Sequence, residues 1–212
     1  MNKPENPWLE IPIVEYVGHM SDSHVRQYKM LNKIFHQAYS FKQPANLLIL
    51  GATDGNGLEY ISKEITRRII AVDINPEYTA VARRRFHIKL PQCDFVCEDV
   101  VKYKFPTNYF DTIHGALIFE YVDYQKMLIK ITKSLKIGGV LSVVIQLEDE
   151  MVSKISETKF KSLKKLASIM KIVDINTFKG CAFNNNLREI HKEIKKPYGE
   201  KSFYYGIYER IR

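Results

Sequence analysis

The sequence predicts an α/β protein: a doubly wound, mostly parallel sheet, closed by a C-terminal antiparallel hairpin and preceded by a helical segment suited to a lid. Three observations point there. Short apolar runs alternate with helical patterns over about 100 residues, which is the signature of an open α/β sheet. The first two runs are joined through a turn rich in glycine. After the last run the period changes, and two strand-like stretches flank Pro197-Tyr198-Gly199, as in a hairpin.

The chain is organised around residues 47 to 73. Leu47-Leu48-Ile49-Leu50 is an apolar run, the pattern of a strand buried on both faces. It breaks into Gly51-Ala52-Thr53-Asp54-Gly55-Asn56-Gly57. Leu58, Ile61 and Ile65 follow at helical spacing, so a helix is expected, and Ile69-Ile70-Ala71-Val72 ends on Asp73. Strand, glycine turn, helix, strand and terminal acid form a right-handed βαβ unit suited to a nucleoside. Glycines let a ligand approach the backbone, and a helix N-terminus offers free N–H groups. An acid about twenty residues on can accept hydrogen bonds from ribose hydroxyls. The same turn also joins strand to helix in folds that hold no ligand.

The other elements follow in order. Residues 1–20, with Trp8, Ile11, Ile13, Val14, Tyr16 and Val17, read as an extended arm over the core. Ser21-Asp22-Ser23 offers N-cap residues, and Val25, Tyr28, Leu31, Ile34, Phe35 and Ala38 share one helical face to about Tyr39. Pro44 ends that segment, so residues 1–44 form an arm and helix, a candidate lid, ahead of a ligand-binding domain over 45–212. Asn75 caps the next helix with Pro76 at its first turn, and Tyr78, Val81, Ala82 and Phe86 face inward; Arg83-Arg84-Arg85 reads as solvated surface. Asp94 to Cys97 is a third strand, running into Glu98-Asp99, and Thr112 to Ile118 a fourth. Asp123 caps a helix with Met127, Leu128, Ile131 and Leu135 inward, Gly138-Gly139 stops it, and Val140 to Ile145 is a fifth strand. Helices are expected over 160–170 and 175–183, and hairpin strands over 187–194 and 203–208.

Composition narrows the class. Hydrophobic content of 45% with 26% charged residues is ordinary for a soluble globular protein, and 212 residues suffice for a full core. Cys93, Cys97 and Cys181 form no C-x-x-C pair, so neither a disulfide framework nor a metal site is expected. A reduced, cytoplasmic setting fits. The polar, proline-bearing start is wrong for a signal peptide, and no apolar run approaches the ~20 residues that cross a bilayer. The net charge of +8 is uneven: basic and acidic residues number five against four over 1–50, thirteen against fourteen over 51–150, and fourteen against six over 151–212. A lysine-rich solvated face accounts for such a tail; contact with nucleic acid or an acidic substrate is the sharper alternative.

The glycine turn, Asp73, Asp99, the Phe110-Asp111 strand, Leu135-Lys136-Ile137-Gly138-Gly139 and a final hairpin together resemble the class I, Rossmann-like S-adenosylmethionine-dependent methyltransferases, over roughly residues 45 to 210. The resemblance implies S-adenosylmethionine as cofactor. It implies that Gly51, Ala52, Thr53 and Gly55 face the methionine part, that Asp73 with Ile74 binds the ribose, and that Asp99 with the Val100 N–H meets the adenine. Ala116 and Leu117 would line the reactive side. Two positions depart from the family turn: Ile49 stands where it has an acid, and Thr53 where it has the middle glycine. The Thr53 hydroxyl can bond the cofactor carboxylate instead, and Tyr16 and His19 on the arm are candidates to replace the acid. Gly51-Ala52-Thr53-Asp54-Gly55 also resembles the turn of short-chain dehydrogenase-like NAD(P) proteins. Those carry Tyr-x-x-x-Lys, and none of the thirteen tyrosines here has a lysine four residues on.

Methyl transfer from a sulfonium needs mainly a positioned nucleophile. Leu117-Ile118-Phe119-Glu120-Tyr121 lacks the Asn/Asp-Pro-Pro-Tyr/Phe of adenine-N6 and glutamine enzymes, and no Pro-Cys pair serves a cytosine-C5 enzyme. The metal-dependent catechol type needs several carboxylates at this mouth, and only Glu120 and Asp123 are near. A small-molecule acceptor is the reading that remains, with an RNA acceptor or a noncatalytic cofactor-binding protein as alternatives. Among the histidines His19 is the candidate base; His114 reads as core, and His24, His36, His87 and His191 as surface.

Overall fold

The computed structural model describes residues 6–148, 153–197 and 201–212. Seven strands form one sheet: β1 (Asn46–Leu50), β2 (Arg68–Asp73), β3 (Cys93–Cys97), β4 (Phe110–Ala116), β5 (Leu135–Gln146), β6 (Leu187–Lys195) and β7 (Phe203–Arg210). Their spatial order is β3-β2-β1-β4-β5-β7-β6. The first five run parallel, while β7 lies antiparallel between β5 and β6. Pro197 follows β6, and the rest of the expected hairpin turn lies outside the described residues.

Successive side chains of a strand point to opposite faces, and β1 shows the consequence. Leu47 and Ile49 join a core with Phe35, Tyr39, Ala82 and Phe86, brought by helices α2 (Gln27–Lys42) and α3 (Pro76–Phe86). Leu48 and Leu50 join the opposite core with Met127, Leu128, Ile131 and Phe178, from α4 (Tyr124–Ser134) and α5 (Ile175–Asn184). A strand covered on both faces is apolar throughout, as its sequence is.

Five expectations fail, each for a visible reason. Residues 7–21 are not extended: Pro7–Glu10 is a 3-10 helix and α1 spans Ile13–Ser21. Ile13, Tyr16 and Met20 recur at helical spacing and are buried together; that period is in the sequence. The helix expected behind the glycine turn is one 3-10 turn, Leu58–Tyr60. There the Tyr39 hydroxyl accepts from the Ser62 N–H at 3.0 Å and Thr66 Oγ1 donates to Pro44 O at 2.8 Å, so α2 covers the face a crossover helix would cover. The segment after Phe160 is 3-10 (Lys161–Ser168) rather than α. Finally, β5 begins at Leu135: the chain passes Gly138-Gly139 within the strand, Gly138 at φ +76, beside a register shift opposite Phe110 and Thr112. Glycine supports this because a Cβ on Gly139 would stand 2.9 Å from Lys136 O and Phe110 O. The helix expected from the cap cluster 21–23 starts at Gln27, with Arg26 in the left-handed region and no side-chain cap.

Candidate active site

In an open α/β sheet, ligands settle beyond the carboxyl ends of the strands where the strand order reverses, here between β1 and β4. A partly enclosed cavity lies there. It is lined by Gly51 after β1, Asp73 and Ile74 at the end of β2, Asp99 and Val100 beyond β3, Ala116 and Leu117 at the end of β4, and Gln146 closing β5. Trp8, Tyr16, His19, Met20 and Gln27 line it from the N-terminal segment, and Leu163 and Leu166 from the 3-10 helix over 161–168.

The glycine turn is held by its own hydrogen bonds. Gly51 and Ala52 N–H donate back to Val72 O. Asp73, buried, accepts at Oδ2 from the Thr53 N–H at 2.8 Å and at Oδ1 from the Asn75 N–H at 2.9 Å. Burial raises its carboxyl to about 6, the two N–H donors pulling the other way. Thr53 sits at φ +48 and Leu117 at φ +54, strained backbone for side-chain-bearing residues of the kind that gathers at functional sites. Behind the turn, the Tyr28 hydroxyl donates to Asp54 Oδ2 at 2.6 Å, and Arg85 pairs with the same carboxylate. Arg83 donates to Phe95 O at 2.8 Å. The arginine run therefore pins α3 to the turn and the sheet, although all three residues are exposed overall.

Of the ten residues expected to hold a nucleoside cofactor, Gly51, Thr53, Asp73, Ile74, Asp99, Val100, Ala116 and Leu117 line the one cavity. Ala52 and Gly55 do not. Ala52 packs into the core beneath the turn, and Gly55, at φ +83, leaves room that a Cβ would take from Phe86 at 2.7 Å. The turn offers no α-helix N-terminus, because only the 3-10 turn follows it.

Tyr16 and His19 both line the cavity, at different places. The charges of Asp54 and Asp73 bear on the Tyr16 hydroxyl, which burial already pushes far up. His19 Nδ1 lies 2.9 Å from Thr158 Oγ1; burial and the Lys201 charge lower it to about 4, leaving a neutral imidazole near pH 7. His114 is core: it is buried, 3.0 Å from Ser142 Oγ and edge-on to Phe35, with burial lowering it to about 4. His24, His36 and His87 are exposed and His191 half-buried.

Sequence reasoning missed the polar end of the cavity. Glu120 is wholly buried, and its Oε1 accepts from the Gln146 N–H at 2.7 Å. Burial raises it to about 7. Lys201 Nζ donates to Lys154 O at 2.6 Å and to Gln146 Oε1 at 3.3 Å, and burial lowers it to about 8. Lys201 and Lys154 read as tail charge in the sequence; nothing local marks them as cavity residues. Among the described residues no cluster of three or more His, Cys, Asp or Glu could hold a metal, and no helix is long and apolar enough to cross a membrane.

This cavity fits an adenosylmethionine-like group. A buried acid stands at the end of β2, a second acid beyond β3, and the Tyr78 hydroxyl on the same wall is buried without a partner. A family model described as a methyltransferase domain matches residues 47–139. No curated protein matches the chain in sequence. Three solved structures share its fold. N-methyltransferase NodS from Bradyrhizobium japonicum, in complex with S-adenosyl-L-homocysteine, is 14% identical with a TM-score of 0.67, covering 90% of each chain. Phosphoethanolamine N-methyltransferase 2 of Haemonchus contortus, in complex with S-adenosyl-L-methionine, is 16% identical with a TM-score of 0.69, covering 94% of this chain and 57% of that one. Geranyl diphosphate methyltransferase, in complex with its diphosphate and sinefungin, is 11% identical with a TM-score of 0.67, covering 87% and 79%. Residues 47–139 thus match a methyltransferase domain, and the chain shares the fold of solved S-adenosylmethionine-dependent methyltransferases.

Proposed function

We propose that this enzyme transfers a methyl group from S-adenosylmethionine to a small-molecule acceptor enclosed beneath the N-terminal segment. The observation that carries the reading is the cavity itself. One side is made of strand ends, and the other is roofed by Trp8, Tyr16, Met20, Leu163 and Leu166. A roof of that kind admits a small molecule and excludes a polymer. When bound, the cofactor supplies an electrophilic methyl carbon whose leaving group needs no protonation.

The chain's residues then act by position. Asp73, beside Ile74, takes the ribose hydroxyls; Asp99 and the Val100 N–H take the adenine; Gly51 and Thr53 flank the methionine part, with Ala52 and Gly55 shaping the turn from behind. Ala116 and Leu117 stand toward the acceptor. Holding the nucleophile in line, away from water, supplies up to about 7–11 kcal/mol of barrier lowering. The segment 1–44 serves as the lid over a domain spanning 45–212.

S-adenosylhomocysteine should raise the melting temperature by mass action, by an amount that grows with its concentration, and NADP should not. Stabilisation by NADP alone would move the assignment to a nicotinamide protein. Stabilisation by adenosylhomocysteine without methyl transfer to any acceptor would make the chain a noncatalytic cofactor binder. One observation favours an RNA acceptor as a second reading: a basic groove between the start of α2 and the end of β6, lined by Arg26, Lys29, Lys33, Lys195 and Lys196 with no acid among its lining residues.

A further inference from the structure

Four buried side-chain polar atoms have no hydrogen-bond partner among the described residues: the Tyr78 hydroxyl, Gln92 Oε1, Thr112 Oγ1 and Glu120 Oε2. Tyr78 and Glu120 line the cavity. An orphaned buried polar atom costs about 1–3 kcal/mol, more when charged, and native proteins hold few. Two in one cavity point to ligand groups that complete the site. Tyr78 belongs with Asp73, whose charge bears on it, on the side of the nucleoside. Glu120 belongs with the end of β5, through its bond to Gln146.

Tyr121, next to Glu120 in the chain and reached by its charge, begins a run of rings along the cavity. Trp8 meets Tyr121 edge-on with ring centres 5.1 Å apart, and Tyr16 at 6.1 Å. Tyr16 in turn meets Tyr78 at 5.6 Å. All four rings line the cavity. Ring faces attract ammonium and sulfonium charge through their quadrupoles. An unpartnered carboxyl oxygen among linked rings therefore suits a cation better than an anion.

We propose that the acceptor is a small amine, its nitrogen held by Glu120 Oε2 against the Trp8, Tyr16, Tyr78 and Tyr121 rings. The proposal rests on the methyltransferase reading and names the substrate class of that site. The nitrogen lone pair forms the N–C bond as the C–S bond to the sulfonium breaks. The bound ammonium first gives a proton to the Glu120 carboxylate, which frees that lone pair; the positive charge then moves from sulfur to nitrogen, and the Glu120 proton leaves to water. One cation is replaced by another, so the same rings serve before and after transfer. A carboxyl raised to about 7 by burial is matched to taking up a proton near neutral pH. The other charged groups of the cavity have partners. Lys154 Nζ donates to Met170 O at 3.1 Å, and Lys201 to Lys154 O and Gln146 Oε1. Asp73 holds Thr53 and Asn75. His19 is neutral and bonded to Thr158.

Calorimetry on the full chain saturated with S-adenosylhomocysteine tests this, with choline as cationic probe and 3,3-dimethylbutanol as its neutral carbon isostere. Choline should bind at least about tenfold tighter than the isostere, a cation–π and ion-pair difference. In Glu120→Gln that preference should vanish, while adenosylhomocysteine affinity stays within about twofold. A labelled-methyl assay over an amine panel should then yield N-methyl product. Equal binding of the isostere, tighter binding of benzoate, no binding of choline, or a preference unchanged in Glu120→Gln would each overturn the amine. Failure of the wild-type chain to bind adenosylhomocysteine at all would instead count against the methyltransferase reading. If Glu120→Gln does not fold, Trp8→Leu replaces it, with loss of the same preference expected and its retention counting against the proposal.

Discussion

Asp73 shows how much one residue carries. Its two carboxylate oxygens close the glycine turn and the start of α3, and the same carboxylate lines the cavity. Removal of the whole group would leave two buried N–H donors unpaired, so alanine would mix a binding loss with a folding loss. Asparagine keeps one acceptor oxygen. Since a hydrogen bond to a charged acceptor is worth about 1.5–3 kcal/mol, Asp73→Asn should weaken adenosylhomocysteine binding at least about tenfold by calorimetry while the chain stays folded. An unchanged dissociation constant would detach Asp73 from the ribose. Hydroxyl donors prefer the ionised carboxylate, and the free group stands at about 6. Binding to the wild type should accordingly weaken as pH falls through 6, and the asparagine variant should lose that dependence.

At the scale of elements, Asn75 joins two parts of the fold. Its Oδ1 caps α3 by accepting from the Glu77 and Tyr78 N–H groups. Its Nδ2 donates to Trp8 O at 2.9 Å and Ile11 O at 3.3 Å, tying the N-terminal segment to the end of β2. The capping role is readable from Asn75-Pro76; the second role is not, because Trp8 lies 67 residues away in sequence. Two substitutions separate them. Asn75→Ala loses both and should cost about 1–2 kcal/mol for the cap alone. Asn75→Asp keeps the cap and loses the two donors. The single tryptophan of the chain is Trp8, so its emission reports the segment directly. Both variants should shift that emission and lower the melting temperature, aspartate because its second oxygen would face the Trp8 and Ile11 carbonyls; an unaltered Trp8 signal in both would mean that the segment is held by its apolar contacts alone.

For the whole molecule, the basic tail resolves into pairs. Lys164 meets Glu157, Lys165 meets Glu10, Lys179 meets Glu189, Arg188 meets Glu209 and Lys195 meets Glu193, while Lys201 lies inside the cavity. Four of these acids belong to the tail itself, so the pairs order its lysines and arginine without cancelling its basic excess. Lys195 and Lys196 of the tail line one groove with Arg26, Lys29 and Lys33. Binding to mixed RNA should be micromolar or weaker and fully released by salt, with log affinity falling by ~0.7–0.9 per log unit of salt for each phosphate contacted, and no label should enter RNA. Tight binding at ~150 mM salt with methylated RNA would reverse the choice of acceptor.

The sequence by itself determined the strand runs, their faces and the acids that end two of them at the cavity. Leu47 to Leu50, Ile69 to Asp73 and Asp94 to Asp99 are local patterns, and a strand's end fixes where its terminal acid stands. It also held the α1 period of Ile13, Tyr16 and Met20. Tertiary structure decided the rest. The segment after Gly57 is tied through Ser62 and Thr66 to Tyr39 of α2 and to Pro44, partners 23 and 22 residues away in sequence. Glu120 is just as remote from its Gln146 partner in sequence, and Lys201 from Lys154. Their burial, and hence their chemistry, arises only when the end of β5, the start of β7 and the N-terminal segment close on one another, because desolvation belongs to the cavity and not to any stretch of chain.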